Sequence, residues 1–96
     1  MVFEWDDDKN AANVAKHGLS FDLACRIFEG PVLSAPDTRF EYGEVRINSI
    51  GAISGVVIIV VTHTDRQGRV RLISARPAKR KERDRYAKAL QQGTAP

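Results

Sequence analysis

The sequence is poor in residues that form covalent or metal cross-links. It has one cysteine, Cys25, and two histidines in 96 residues. A single cysteine excludes an internal disulfide and a multi-cysteine zinc site, and we expect Cys25 to be a small buried residue on a helix. Because histidines and carboxylates are scattered along the chain, the sequence predicts no bound metal and no cofactor.

Long hydrophobic runs are also missing. The longest covers residues 56–61, far short of the roughly 20 apolar residues that a membrane helix needs. The first six residues carry acids where a signal peptide would carry bases, so we expect a cytoplasmic protein with no membrane association. The length predicts one domain over residues 1–96, ordered over about residues 2–92 with residues 93–96 frayed.

Charge is unevenly distributed along the chain, although the formal net charge is only +3. Up to Thr64, nine acids outnumber five bases, whereas from Asp65 to Leu90 ten bases outnumber three acids. A concentrated basic third attracts polyanions, which favours RNA, DNA or an acidic protein as the partner. The alternative is a solvated, charged helix without a ligand.

The first half of the chain predicts one strand and two helices. Aromatic and β-branched residues at 2–5 are typical of a strand, and Asp6 is a suitable N-cap for a helix that ends near His17, before Gly18. Ser20 is the next N-cap, and apolar residues at helical spacing predict a second helix that ends before Gly30.

The second half predicts three strands and a helix. Residues 44–50 alternate between apolar and polar, residues 51–52 provide a turn, and residues 53–64 are apolar on both faces, as in a central strand. Residues 65–68 predict a hairpin into a strand over residues 69–76, followed by a helix from Ala78 to about Gln92. The predicted fold is α+β in the order βααβββα, a mainly antiparallel sheet with helices packed on one face.

Three groups of residues resemble the BrnT family of toxins from bacterial type II toxin-antitoxin systems. The resemblance extends over about residues 3 to 90, with Phe40 and Tyr42 in a loop where the family often has a histidine. The opening group is Trp5, Asp6, Lys9, Asn13, Lys16, His17, Gly18 and Phe21; the middle group is Asp37, Arg39, Glu44, Arg46 and Gly51; the last is residues 71–76 with Ala78, Glu82, Arg83 and Tyr86.

The resemblance implies a RelE-like fold and an endoribonuclease that arrests growth. It also implies a cognate BrnA-type antitoxin with a ribbon-helix-helix domain, which forms a hetero-oligomer with the toxin. Operator DNA would be bound only through that antitoxin.

RNA cleavage without a metal needs a base, an acid and fixed cations. Arg76, between the last strand and the last helix, is the first candidate to stabilise the phosphorane, and the alternative is an ion pair with Glu44 or Asp37. Arg46 shares a polar strand face with Glu44 and Asn48 and would line the same groove.

His63 is the first candidate to carry the proton, as base or acid, because its unperturbed pKa lies near neutrality. The alternative for His63 is a hydrogen-bonded structural residue, and Glu44 is the second candidate for the base. Seven further residues are predicted to bind RNA. They are Lys16, His17, Arg66, Lys79, Arg80, Arg83 and Tyr86.

Two of those seven have structural alternatives: His17 can stabilise a helix end, and Tyr86 can pack the last helix on the sheet. The whole protein also has alternatives to catalysis. It could be a non-catalytic nucleic-acid or ribosome-binding module, or an interaction subunit whose basic surface receives an acidic antitoxin segment.

Overall fold

A computed structural model describes residues 1–39, 41 and 43–93 of the chain. Its five-stranded sheet has the order β1-β5-β4-β3-β2, and only the β1–β5 pair is parallel. The strands are β1 (Val2–Glu4), β2 (Leu33–Pro36), β3 (Ile47–Ile53), β4 (Val57–Arg66) and β5 (Arg69–Pro77). The helices are α1 (Asp7–His17), α2 (Phe21–Ala24), which continues as a 3₁₀ turn (Cys25–Glu29), and α3 (Arg80–Gln91).

The predicted ends of α1 and the start of α2 are confirmed by their caps. The Asp6 side chain accepts the backbone N–H of Lys9 at 3.0 Å, and Gly18 ends α1 with a φ of 70°. Ser20 Oγ accepts the backbone N–H of Leu23 at 3.1 Å. These local interactions account for both helix starts without any tertiary contact.

The helices pack on both faces of the sheet, so the prediction that they share one face is wrong. Alternate residues of β4 point to opposite sides. Ile59 and Val61 enter one core with Phe21, while Val60 enters a second core with Tyr86 of α3. We call these sides the α2 face and the α3 face. A chain with apolar residues on both sides of its central strand needs a cover on each side.

The predicted order βααβββα omits one strand, because β2 is a short edge strand. Only Leu33 of its four residues is not exposed, so β2 has no apolar alternation from which it could be recognised. It pairs antiparallel with β3, from Leu33 opposite Ile50 to Pro36 opposite Ile47.

The predicted turn at residues 51–52 is also wrong, since Gly51 lies inside β3. A Cβ atom on Gly51 would lie 2.7 Å from Ile27 Cβ, so this glycine lets the 3₁₀ turn approach the strand closely. The chain reverses instead at Ser54 and Gly55, whose φ angles are 53° and 72°. The glycine marks close packing rather than the end of a strand.

The β4–β5 hairpin is confirmed, with Gln67 and Gly68 at positive φ. Its register shifts by one residue: His63 lies opposite Leu72 while Thr62 lies opposite Ser74. Ile73 is therefore the extra residue of a bulge on β5. The shift brings Ser74 and Thr62 side by side on the α3 face.

Two smaller predictions also differ from the structure. Pro77 belongs to β5, so α3 starts at Arg80 rather than Ala78, and Cys25 is only partly buried. The fraying predicted for residues 93–96 falls largely outside the described residues, as do Phe40 and Tyr42. No helix in the described part of the chain is long and apolar enough to span a bilayer.

Candidate active site

A row of polar side chains crosses three adjacent strands on the α3 face. Asn48 of β3 lies opposite Thr62 of β4, which lies opposite Ser74 of β5. Thr62 Oγ1 donates a hydrogen bond of 2.7 Å to Asn48 Oδ1, which leaves the Asn48 amide N–H groups available as donors. Ile50 and Val60 form the next residue pair on the same face, and they pack in one cluster with Tyr86 of α3. The polar row therefore lies beside that contact.

Arg76 is at one corner of this row, two residues after Ser74 on β5. Its guanidinium donates to both carboxylate oxygens of Glu82, from Nη1 to Oε1 at 2.7 Å and from Nη2 to Oε2 at 2.9 Å. About a third of the Arg76 side chain is exposed. The alternative for Arg76 was an ion pair with Glu44 or Asp37, whereas the structure shows an ion pair with Glu82, from the first turn of α3.

The Arg76–Glu82 pair shifts both pKa values in favour of the charged forms. Hydrogen bonds from Arg76 are the largest cause that lowers the pKa of Glu82 to about 2, opposed by burial and assisted by Lys79. The same hydrogen bonds raise the pKa of Arg76, while the charge of Arg39 acts in the opposite direction. Glu82 therefore carries its negative charge throughout the physiological range.

Arg46 is at the opposite corner, two residues before Asn48. The β2–β3 ladder continues to this residue, because the Asp37 N–H donates to Arg46 O at 2.7 Å. Glu44 Oε1 lies 3.7 Å from Arg46 Nη2 and 3.4 Å from Arg66 Nη2, so one carboxylate joins two cations. The predicted proximity of Glu44 and Arg46 is confirmed, with Arg66 as a third member of the cluster.

The two arginines do not lie on neighbouring strands, because β4 separates them. Two strand spacings of about 4.8 Å and four residues of about 3.4 Å put the Arg46 and Arg76 Cα atoms roughly 17 Å apart along a diagonal of the α3 face. They share a face but not a single pocket. An extended anion with several charges fits this separation better than one small anion does.

His63 lies on the other side of the sheet. Its Nε2 shares a hydrogen bond of 2.7 Å with Ser49 Oγ, and its ring meets the edge of Phe28 with centroids 5.1 Å apart. Burial lowers the pKa of His63 below its ordinary value. The structure therefore does not bring His63 together with Arg76, and its surroundings match the structural alternative.

Lys16 and His17 also lie away from the α3 face. Asn13 Nδ2 of the same helix donates to Leu19 O at 2.8 Å, and the Phe21 N–H donates to Asn10 Oδ1 at 2.8 Å. These bonds join α1 to the segment that covers the α2 face. The two basic residues occupy the last turn of α1, where positive charge favours the helix dipole.

Three predicted RNA-binding residues lie at the start of α3, close to Arg76. Lys79, Arg80 and Arg83 are exposed, and Arg83 Nη1 donates to Ala78 O at 2.8 Å. Tyr86 differs, because it is 3% exposed and its hydroxyl donates to Pro31 O at 2.7 Å. Burial raises the pKa of Tyr86. Tyr86 packs α3 on the sheet, as its structural alternative predicts, and this burial does not favour stacking on a nucleotide base.

Comparison with known proteins identifies a family that matches this chain. A family described as the ribonuclease toxin BrnT of type II toxin-antitoxin systems matches residues 5–82. The chain belongs to the BrnT family. The crystal structure of the Brucella abortus ribonuclease toxin BrnT is 30% identical, with a TM-score of 0.67, and the match covers 83% of this chain and 100% of that one. No curated protein sequence matches the chain.

The family assignment confirms the resemblance and establishes a ribonuclease toxin of a type II toxin-antitoxin system, which implies an antitoxin partner. The match extends from Trp5 to Glu82 and so includes both arginines of the α3 face. The similar crystal structure supports the α+β architecture with a mostly antiparallel sheet. The RelE-like label stays a prediction.

Sequence reasoning missed Thr62, Ser74 and Glu82 as members of this candidate site. Ser74 and Thr62 could not be paired without the bulge at Ile73. Glu82 did leave a signal, because it lies three residues after the N-cap Lys79 and accepts the Lys79 N–H at 2.8 Å, as in a capping box. Among the described residues, no three histidine, cysteine or acidic side chains cluster as metal ligands.

Proposed function

We propose that this BrnT-family toxin is a metal-independent endoribonuclease that cleaves RNA by transesterification on the α3 face. One observation carries the proposal. Arg46 and Arg76 flank a row of polar side chains that crosses β3, β4 and β5 beside α3 and in which Asn48 and Ser74 can donate hydrogen bonds. Fixed cations with neutral donors between them are what a polynucleotide backbone requires from a protein surface.

The reaction makes the 2′-oxygen of one nucleotide attack the neighbouring phosphorus, and the phosphorane carries extra negative charge. Arg76 is the residue that stabilises this charge, because its planar guanidinium already binds two oxygens of one carboxylate at 2.7 and 2.9 Å. A guanidinium supplies permanent positive charge, which serves the purpose that a divalent metal serves in other nucleases.

Arg46 contacts a second phosphate along the same strand. The separation of roughly 17 Å between the two arginine Cα atoms suits an extended RNA that follows the diagonal, with Ser74 and Asn48 as donors beneath it. Lys79, Arg80 and Arg83 extend the positive surface beyond Arg76, and Arg66 extends it beyond Arg46. Lys16 and His17 are not needed by this path.

The proton acceptor must lie on the same face as the phosphate that reacts. His63 faces Phe28 and Ser49 on the other side of the sheet, so its predicted catalytic role loses support. Two carboxylates adjoin the arginines of the α3 face, Glu44 beside Arg46 and Glu82 beside Arg76. Either can accept the 2′-hydroxyl proton once its arginine has a phosphate to bind.

In a cell, this activity degrades RNA in the cytoplasm and arrests growth until an antitoxin neutralises it. We infer a BrnA-type antitoxin with a ribbon-helix-helix domain, which contacts operator DNA on behalf of the hetero-oligomer. The guanidinium groups of the α3 face bind the carboxylates of Glu44 and Glu82, so carboxylates of the antitoxin can take the place of these two side chains.

The test is incubation of the purified toxin with a synthetic RNA that contains every dinucleotide step, in the presence of a chelator. We expect internal cleavage that leaves 2′,3′-cyclic phosphates, and none when every 2′-hydroxyl is methylated. Binding with a steep salt dependence but no cleavage would instead favour a non-catalytic binding module. Cleavage that stops with the chelator would contradict metal independence.

A further inference from the structure

We propose that Glu82 is the general base of this reaction, and that in the free toxin its carboxylate occupies the guanidinium site that the scissile phosphate takes. The inference rests on the RNA-cleaving activity proposed above and names the group that moves the proton. It assigns a role to an ion pair that otherwise looks purely structural.

The Glu82 carboxylate binds Arg76 in the way that a phosphate would bind it. Both terminal nitrogens of Arg76 donate to Glu82, with distances of 2.7 and 2.9 Å, so the two planar groups are joined in parallel. Carboxylates and phosphates offer a guanidinium the same arrangement of two oxygens. A phosphate that approaches Arg76 along the α3 face therefore competes directly with the Glu82 carboxylate.

Glu82 is held in place independently of Arg76. Its Oε1 accepts the backbone N–H of Lys79 at 2.8 Å in the first turn of α3. This bond survives when Arg76 exchanges its partner. The displaced carboxylate thus stays next to the phosphate, within reach of the adjacent ribose, rather than swinging into solvent.

The exchange also turns a weak base into a useful one. In the free toxin, hydrogen bonds from Arg76 are the main reason why the pKa of Glu82 lies at about 2. Displacement of Glu82 from Arg76 by a phosphate removes that cause and puts a second anion nearby, and both changes raise the pKa of the carboxyl group. Lys79 still lowers it, and Arg39 adds positive charge near Arg76.

The step balances without a further reagent. Glu82 takes the proton of the 2′-hydroxyl, the 2′-oxygen forms a bond to phosphorus, and the bond to the 5′-oxygen breaks with its electron pair. A water molecule protonates the departing 5′-oxygen. The products are a 2′,3′-cyclic phosphate and a 5′-hydroxyl, while Arg76 compensates the charge on the non-bridging oxygens.

The decisive experiment compares binding with cleavage in the Glu82→Gln variant. The glutamine carbonyl can still accept the Lys79 N–H, so the cap on α3 is kept. Binding of 2′-O-methyl RNA should become tighter, since no carboxylate competes for Arg76. Single-turnover cleavage of unmodified RNA should slow by about 100-fold or more, because general-base catalysis is worth at least that much.

A purely structural Glu82 predicts the opposite result for binding. Loss of the pair would misorient Arg76, so RNA binding would weaken together with cleavage.

The matched control is Asp84→Asn, which makes the same charge change at an exposed position of α3. It should leave the cleavage rate within about twofold of the starting protein. A thermal melt of each variant confirms that the fold is retained.

The pH dependence provides a second readout. With saturating RNA, the cleavage rate should fall at acid pH with an apparent pKa well above 2, and this limb should vanish in Glu82→Gln. A folded Glu82→Gln variant that keeps both the rate and the limb overturns the inference, as does loss of the limb in Glu44→Gln instead. If the unmodified toxin cleaves no RNA, the proposed function falls first and this inference with it.

Discussion

His63 Nε2 lies 2.7 Å from Ser49 Oγ, and both side chains lie on the α2 face of the sheet. The Ser49 hydroxyl in turn shares a hydrogen bond of 2.7 Å with Ser34 of the edge strand β2. The side chain that best suits proton transfer by its chemistry is thus engaged in holding β2, β3 and β4 together. The proposed cleavage site and His63 therefore lie on opposite sides of the sheet.

Replacement of His63 should therefore spare RNA cleavage. We expect His63→Ala to keep the cleavage rate of the parent within a few-fold, with both limbs of its pH–rate profile, because its side chain and the two arginines lie on opposite faces of the sheet. The rate is measured below the melting temperature of the variant. Loss of one pH limb in a folded His63→Ala protein would return the histidine to the mechanism.

His63 should instead affect stability at mildly acid pH. Burial lowers its pKa in the folded state below the ordinary 6.5, so the unfolded chain binds this proton more readily. The free energy of unfolding should fall as the pH falls below 6.5, until the folded-state pKa is passed. Urea unfolding across this range, compared with His63→Gln, should show a smaller loss in the variant.

Removal of the Tyr86 hydroxyl should destabilise the toxin without changing its reaction. The hydroxyl donates to Pro31 O at 2.7 Å in a buried position, so Tyr86→Phe should lower the free energy of unfolding by about 1 kcal/mol. RNA binding and cleavage should match the parent protein at a temperature where both are folded. A variant with normal stability and weaker RNA binding would contradict the packing role.

Gly51 should not tolerate a methyl group. A Cβ atom there would lie 2.7 Å from Ile27 Cβ, so Gly51→Ala should cost about 1–3 kcal/mol of stability in urea unfolding. Gly30→Ala is the matched control, because the corresponding Cβ would have no neighbour within 4 Å. Equal stabilities for the two variants would show that the 3₁₀ turn does not press on β3 as described.

Local signals in the sequence predicted local structure well. Asp6, Gly18 and Ser20 bound their helices by short-range hydrogen bonds and backbone angles that need nothing from the rest of the chain. The β4–β5 hairpin likewise follows from Gln67 and Gly68. The motifs that resemble BrnT toxins were sufficient to predict the family that the comparison assigns.

Features that depend on tertiary contacts could not be predicted in the same way. Gly51 resembled a turn because the sequence does not show that Ile27 lies against it. The apolar residues on both sides of β4 indicate that both faces of the sheet are covered, but they do not indicate which helix covers which face. His63 and Arg76 have compatible chemistry, but only the register shift at Thr62/His63 and the alternation of β4 show that they face apart.

Cleavage of RNA by Arg76→Ala is the most direct test of the account. Loss of the guanidinium should slow cleavage by about 100- to 1,000-fold, because it removes the main stabiliser of the phosphorane charge. Arg85→Ala, which removes an exposed arginine from α3, is the control and should cleave nearly as fast as the parent. A folded Arg76→Ala protein that cleaves at the parental rate would contradict the assignment of the α3 face as the active site.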